Sequence, residues 1–288
     1  MMRYVISVDL GATNVRVGLI STSLEIISVF RERSTKDDKD ALANQIIRMI
    51  KSLPLDKYKV EAIGVSACGM TKFSHIEVLP NLNIKDFPLN KILEKEFNVP
   101  CEIANDANCT ALSEATHGAG KDYNTSYFVT ISSGIGGCLV YNKKLVDLPF
   151  ELGHHLIGYK NNFYEIEEIL SGNGLVKFCK INDLVIDNAS TFFSLVEAKD
   201  EKALYILDEY VDQLAIMMNN LQLDYNTDTI ILSGGVMKSI DLFFDKLQRK
   251  CDELISKTPL NKINFTFAAF DQDAGLMGGA TLGLNLLK

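Results

Sequence analysis

Apolar positions alternate with polar ones and then fall at helical spacing, in two successive rounds along the chain. Residues 4–8 and 15–20 are β-rich apolar runs joined by Leu10-Gly11-Ala12-Thr13-Asn14, close enough to predict a hairpin. Residues 26–30 extend it to a meander. Leu42, Ile46, Met49, Ile50 and Leu53 predict a helix over 41–53. Strands follow at 60–66 and 101–104, with a helix over 89–97 that ends ahead of Pro100. Helical spacing resumes with Ala107, Ala111, Leu112 and Ala115, until Gly118-Ala119-Gly120 breaks it.

The second round repeats the theme. A strand over 127–131 runs into the turn Ser132-Ser133-Gly134-Ile135-Gly136-Gly137 and a second strand over 138–141, followed by a turn at Asn142-Lys143-Lys144. The pattern is helical over 191–223. A strand over 229–232 enters Ser233-Gly234-Gly235-Val236; a helix over 240–257, a strand over 263–268 and a closing helix over 274–287 complete the chain. One strand–Gly turn–strand unit per half predicts a duplicated α/β architecture, with the hinge near the helix at 106–116.

Composition narrows the classes. The 288 residues suffice for two cores, and 47% hydrophobic with 23% charged residues is a soluble globular balance. A net charge of −8 argues against a nucleic-acid surface. The one dense basic group, Arg31, Arg33 and Lys36, reads as a solvated strand end. No apolar run approaches membrane-spanning length, and the stretch before Asp9 is too short for a signal peptide, so a cytoplasmic protein is expected. The six cysteines form neither C-x-x-C nor C-x-C pairs, which favours small buried hydrophobes over a metal knuckle or a disulfide framework.

The most informative stretch is Asn105-Asp106-Ala107-Asn108, an amide and a carboxylate at a strand-to-helix junction. A carboxylate there is held by rigid elements and can reach into a cleft, but an Asp at a helix start also caps it. In Asp9-Leu10-Gly11-Ala12-Thr13-Asn14, Gly11 permits close backbone approach, successive N–H groups can form an anion nest, and Asp9 could hold Mg²⁺ directly or through water. The alternative is a hairpin with a polar turn, which leaves an Asp ending a buried strand unexplained. Ser132-Ser133-Gly134 and its following glycines could clamp phosphates or simply turn a hairpin. Gly234 and Gly235 could let a flat ring or ribose lie on the backbone, or form an ordinary strand-to-helix turn. Gly118-Ala119-Gly120-Lys121 lacks the Walker spacing, and Gly134-Ile135-Gly136-Gly137 lacks the third dinucleotide-fingerprint glycine. Glu151-Leu152-Gly153-His154, with Glu165, Glu167 and Glu168 beyond it, offers polyol partners. A structural histidine and a solvated helix face, the latter expected for two of the three later acids, are the other readings.

Together these segments resemble the ROK family of bacterial sugar kinases and sugar-responsive repressors. Asp9–Asn14 is similar to that family's first phosphate motif, Ser132–Gly137 to the second, and Ser233–Val236 to its adenosine motif. Pro80-Asn81-Leu82, Asn105–Asn108 and Glu151–His154 match further family segments in the same order. The resemblance implies an actin-like ATPase (ribonuclease H-like) duplicated α/β fold, with two lobes and a cleft between them, divided as 1–112 plus 274–288 and 113–273. It implies ATP and Mg²⁺ as cofactors, with Asp9, Gly11, Thr13, Asn14, Ser132, Ser133, Gly134, Gly234 and Gly235 on the nucleotide side. Asp106 would be the general base, and Asn105, Glu151, His154 and Glu167 would hold sugar hydroxyls; Glu167 lies four residues before Ser171, the family's spacing. A homodimer is implied, with no membrane or nucleic-acid partner.

Three departures stand out. The segment Ile157–Tyr164 contains none of the cysteines of the family's zinc motif, so no structural zinc is expected and another group must orient His154. Gly64-Val65-Ser66-Ala67-Cys68-Gly69-Met70 lacks the usual Pro-Gly pair. No helix-turn-helix precedes Asp9, unlike in repressor members. The expected reaction is phosphoryl transfer from Mg-ATP to a hydroxyl of a hexose or N-acetylhexosamine, with glucose, allose and N-acetylmannosamine as candidates. The alternatives are a non-catalytic sugar-binding regulator of the same family, an acidic-cluster hydrolase, or a sugar-independent ATPase.

Overall fold

The computed structural model describes residues 3–146, 148, 150–260, 262–270 and 273–287; Met1, Met2 and Lys288, part of the reading of the chain's two ends, lie outside them. The chain divides into two compact units, Met1–Gly118 with Ala269–Lys288, and Ala119–Ala268.

In the first unit β1 (Tyr4–Leu10), β2 (Asn14–Ser21) and β3 (Ile26–Arg33) form the expected antiparallel meander. Strand alternation assigns the two faces of β1. Ile6, Val8 and Leu10 are buried in a cluster with Leu42, Ile46, Met49 and Ile50 of α1 (Lys39–Lys51). The Asp38 carboxylate starts that helix by accepting from the N–H groups of Asp40 and Ala41. Val5 packs instead with Leu276, Ala280 and Leu284 of the C-terminal helix, Ala274–Asn285. Ser7 Oγ donates to Leu276 O at 2.6 Å. Asp9 is next in that alternation and faces the same side.

β4 (Val60–Ala67) pairs with β1 in parallel. The C-terminal helix lies on β4 at backbone contact: a Cβ on Gly64 would fall 1.9 Å from Gly279 O, so no larger residue fits. Three short strands, β5 (Met70–Lys72), β6 (His75–Leu79) and β7 (Ile84–Phe87), form a small sheet of their own. After α2 (Leu89–Phe97), β8 (Cys101–Asn105) pairs in parallel with β4 and leads directly into α3 (Asp106–His117). The main sheet has the order β3-β2-β1-β4-β8.

The second unit repeats that plan. β9 (Thr125–Ile131), β10 (Ile135–Tyr141) and β11 (Lys144–Leu145) form the antiparallel part. β12 (Leu156–Tyr159) and β13 (Asn162–Glu165) form a separate hairpin. α4 (Ile166–Leu170), α5 (Gly174–Ile181), α6 (Ala189–Glu197) and α7 (Glu201–Tyr225) precede β14 (Thr229–Ser233), α8 (Phe244–Ile255) and β15 (Phe265–Phe267). The sheet order is β11-β10-β9-β14-β15, the same sequence of third, second, first, fourth and fifth strand as in the first unit. β9 pairs with β14, and β14 with β15, in parallel.

Three expectations shift. The helical pattern over 191–223 is two helices, because Lys199 adopts a positive φ of 60° and Asp200 caps a new helix by accepting from Ala203 N–H at 2.9 Å. The helix expected from 240 begins at Phe244, after a 3₁₀ segment over Gly235–Leu242. The glycine-rich turn after β9 spans only Ser132–Gly134, since Ile135, Gly136 and Gly137 pair with Ile131, Thr130 and Val129.

Candidate active site

Register levels the carboxyl ends of the parallel strands in the first unit: Leu10 pairs with Ala67, and Ala67 with Asn105. Ligands of α/β sheets bind outside that edge. Asn105 caps α3, its Oδ1 accepting from Ala107 N–H and its Nδ2 donating to Gly69 O, each at 2.9 Å. The amide is thus fixed at both ends. Asp106, the first residue of α3, also accepts from Ala107 N–H at 2.9 Å. Lost hydration pushes its pKa up, the Ala107 N–H works the other way, and the Asp9 carboxylate adds to the rise. The residue is nevertheless exposed, so it is crowding by neighbouring protein atoms, not enclosure, that thins its hydration.

Asp9 is held by Arg16, whose Nε and second guanidinium nitrogen lie 2.9 and 2.8 Å from Asp9 Oδ2. The remaining nitrogen donates to Asp273 Oδ1 at 2.9 Å. Gly275 closes in from the C-terminal helix, where a Cβ would fall 2.3 Å from Asp9 Oδ1. Gly11 N donates to Asn14 O at 3.0 Å and tightens the β1–β2 turn. Asp9, Gly11, Thr13 and Asn14 line a cavity of about 390 Å³ with Arg16 and Arg31. Arg31 is therefore not only a solvated strand end. Asp9 pairs with Arg16 across β1–β2, and Arg16 with Arg31 across β2–β3, so one row of the sheet carries all three on one face.

In the second unit the turn after β9 is closed by Ser132 N donating to Gly134 O at 2.8 Å and by Gly172 N donating to Ser132 O at 2.7 Å. Gly234 has φ of +101°, and a Cβ there would fall 2.3 Å from Ile131 O. Only glycine lets β14 end so close to the end of β9. A cavity of about 730 Å³ is lined by Ser132, Ser133, Gly172, Asn173, Gly235 and Val236, among others. The second phosphate-type turn and the adenosine-type turn, far apart in sequence, thus share one cavity.

Glu151 and His154 stand at the two ends of a 3₁₀ turn, with His154 N donating to Glu151 O at 3.1 Å. The side-chain partner of His154 is Glu165, with Nδ1 3.0 Å from Oε2. That hydrogen bond raises the imidazole's pKa; the charges of Glu167 and Glu151 contribute further. Glu167 Oε2 accepts from Ile135 N–H at 2.9 Å, tying α4 to the glycine-rich turn. Glu168 pairs with Lys177. Glu165 and Glu168 are exposed, as the solvated face expected for two of the three acids requires, yet each has a partner: His154 for Glu165 and Lys177 for Glu168.

Asp9, Asn105 and Asp106 thus meet on one edge of the first unit, and Glu151, His154 and Glu167 lie around one turn of the second. Arg16, Gly172 and Gly275 were missed from sequence, as was the pairing of Glu165 with His154. Arg16 was accessible to reasoning, since an antiparallel register opposite Asp9 follows from the hairpin; the others depend on long-range contacts.

Two units with one shared strand order, each carrying a glycine-containing turn between its first two strands, define a duplicated α/β protein with the actin-like fold. The ROK family model matches residues 5–285, and the chain belongs to that family. It is 26% identical to a glucokinase from Halalkalibacterium halodurans, over 97% of this chain and 94% of the relative. It is 24% identical to a xylose repressor from Bacillus subtilis, over 97% of this chain and 76% of that protein. A ROK family glucokinase from Streptomyces griseus, solved in complex with glucose and AMPPNP, superposes with a TM-score of 0.71 at 21% identity, covering 98% of this chain and 99% of that one. Among the described residues no helix is long and apolar enough to cross a membrane, and no group of three or more His, Cys, Asp or Glu side chains could hold a metal ion.

Proposed function

We propose that this chain transfers the γ-phosphoryl group of Mg-ATP to a hydroxyl of a hexose or N-acetylhexosamine, with Asp106 as general base. It is an ATP-dependent carbohydrate kinase. The observation that carries the reading is Asp106 itself: a carboxylate on the first turn of α3, level with the carboxyl end of β1 and influenced by Asp9. A raised pKa makes it a better proton acceptor than an ordinary aspartate, provided it is ionised at the working pH.

Gly11, Thr13 and Asn14 offer backbone and side-chain donors to phosphate oxygens, and Arg16 and Arg31 add positive charge in the same cavity. Ser132, Ser133 and Gly134 serve the phosphates, while Gly234 and Gly235 leave room for the nucleoside. One carboxylate with an oxygen clear of Arg16 suits Mg²⁺, which keeps most of its waters and takes its remaining ligands from substrate phosphates. Asp9 would hold that ion, and the ion would neutralise charge developing on the phosphates. Asn105, Glu151, His154 and Glu167 hold the other hydroxyls.

The relationship to the xylose repressor supports a second reading, a sugar-binding regulator without turnover. A coupled ADP-release assay across hexoses and N-acetylhexosamines, with a sugar-free control, separates the two. The kinase reading expects ADP release that depends on a sugar. Sugar binding with no ADP release would assign the regulator, and ADP release without sugar a plain ATPase.

A further inference from the structure

The hairpin β12–β13 begins two residues after His154, and its register decides what His154 meets. Tyr159 pairs with Asn162, so the turn is the two-residue loop Lys160-Asn161, with φ of 46° and 62°. Two successive positive φ values are the signature of a type I′ turn, whose twist matches that of the strands it joins and so fixes register. With the register fixed, Leu156 pairs with Glu165. Glu165 is thereby returned beside the turn that holds His154, and its Oε2 lies 3.0 Å from His154 Nδ1. A slip of one residue would turn Glu165 to the other face of the hairpin.

Among the described residues Glu165 bonds through its side chain to His154 alone. It precedes α4, yet its side chain makes no capping hydrogen bond. The junction is closed by backbone instead, Ile166 N donating to His155 O at 2.8 Å. His154 and Glu165 are both exposed, with side-chain accessibilities of 58% and 47%. An exposed pair contributes little to stability. Orientation is what it does supply. A carboxylate only accepts, so a neutral imidazole against it must carry its proton on Nδ1, leaving Nε2 with the lone pair.

We infer that Glu165 is the positioning residue for His154: it takes the Nδ1 proton, fixes the ring and leaves Nε2 as the nitrogen offered to a sugar hydroxyl. The last clause rests on the kinase reading above; the first two do not. The hairpin of this chain so performs in side chains and backbone an orienting task that needs no metal ion. The charged groups acting on the ring are Glu165 first, then Glu167 and Glu151. Above the imidazole's raised pKa Nε2 accepts from a hydroxyl; below it, Nε2 donates.

The test compares wild type with Glu165→Ala and Glu165→Gln. Ring ¹⁵N shifts of His154 are followed by NMR through a pH titration, and KM and kcat are measured for the best sugar. Wild type should show the Nδ1–H tautomer and a pKa above that of a free imidazole. Glu165→Ala should lose both, raise KM for the sugar about tenfold and leave kcat within about twofold. Glu165→Gln, which keeps an acceptor oxygen, should restore the tautomer and most of the KM while lowering the pKa. An unchanged tautomer and pKa in Glu165→Ala would overturn the inference, and a changed tautomer with an unchanged KM would overturn its last clause. If wild type phosphorylates no sugar, the kinase reading fails, while the ¹⁵N titration still decides whether Glu165 sets the ring.

Discussion

Replacing Gly134 by alanine tests whether the glycine-rich turn after β9 is built around Glu167. A Cβ at 134 would stand 2.4 Å from Glu167 Oε2, where real carbon–oxygen contacts essentially never fall below 3.0 Å. The carboxylate must retreat by at least about 0.6 Å, which takes its 2.9 Å bond from Ile135 N–H to the limit of hydrogen-bonding distance. A hydrogen bond to a charged group contributes roughly 1.5–3 kcal/mol. Glu167 is half-buried, so the lower end applies, and at ~1.36 kcal/mol per decade kcat/KM should fall about tenfold. Both substrates should feel it, because the turn proposed to serve the phosphates loses an anchor and Glu167, proposed to hold a sugar hydroxyl, is displaced. Gly136 supplies the control: a Cβ there meets only Thr130 Cγ2, at 3.3 Å. Steady-state ADP-release kinetics over ATP and sugar, with thermal unfolding of each variant, would read the effect. Equal kinetics for Gly134→Ala and Gly136→Ala would refute the reasoning.

Two further outcomes follow from the first unit. The Asp106 carboxyl, followed by ¹³C NMR in the ligand-free chain, should titrate above the ordinary carboxylate range, and Asp9→Asn should move that titration down by removing a neighbouring negative charge; a titration that Asp9→Asn leaves in place or raises would contradict the assignment. Glu114 is fully buried in α3 and accepts from Ala269 and Phe270 N–H at 2.7 and 2.9 Å, so Glu114→Ala should lose at least about 1–3 kcal/mol in chemical denaturation, and a loss under 0.5 kcal/mol, roughly the reach of a surface substitution, would show that those N–H groups find water instead.

Period-2 and helical spacing were enough to place β1, β2, α1, α2 and the duplicated plan, because those elements bury apolar positions at their own period, whereas β3, with no buried residue, was legible only as an apolar run after a short turn. The β5–β7 sheet escaped because its strands are three to five residues long, too short for a period to register, and Phe73, Ser74 and Asn83 turn it through positive φ. The β12–β13 hairpin escaped for a related reason: its outward residues Leu156 and Phe163 are apolar too, so the sequence does not display the alternation by which Ile157 and Tyr159 enter the core. Asp106 and the three glycine turns were legible as candidate chemistry because a polar residue or glycine at the end of an apolar strand is locally anomalous. Glu165 was legible only as one of three acids, since its pairing with His154 depends on the hairpin register that sets it opposite Leu156. Glu167 was read as a sugar ligand alone, and its bond to Ile135 adds a structural tie that only the fold could supply.

The central claim is that Asp106 accepts the proton of the sugar hydroxyl. Asn at 106 keeps an oxygen for the Ala107 N–H and removes a charge whose pKa is raised in the folded state. A raised carboxyl favours the fold below its unfolded pKa, and that contribution is lost as pH rises through the folded pKa. Asp106→Asn should therefore be at least as stable as wild type at neutral pH, with the advantage vanishing in acid. The decisive measurement is the single-turnover rate of phosphoryl transfer for Asp106→Asn at saturating ATP and sugar, with sugar affinity measured alongside. A fall of ~10²–10⁴-fold with sugar affinity largely kept is the expected result. A variant that keeps more than about a tenth of the wild-type rate would contradict general-base catalysis by Asp106.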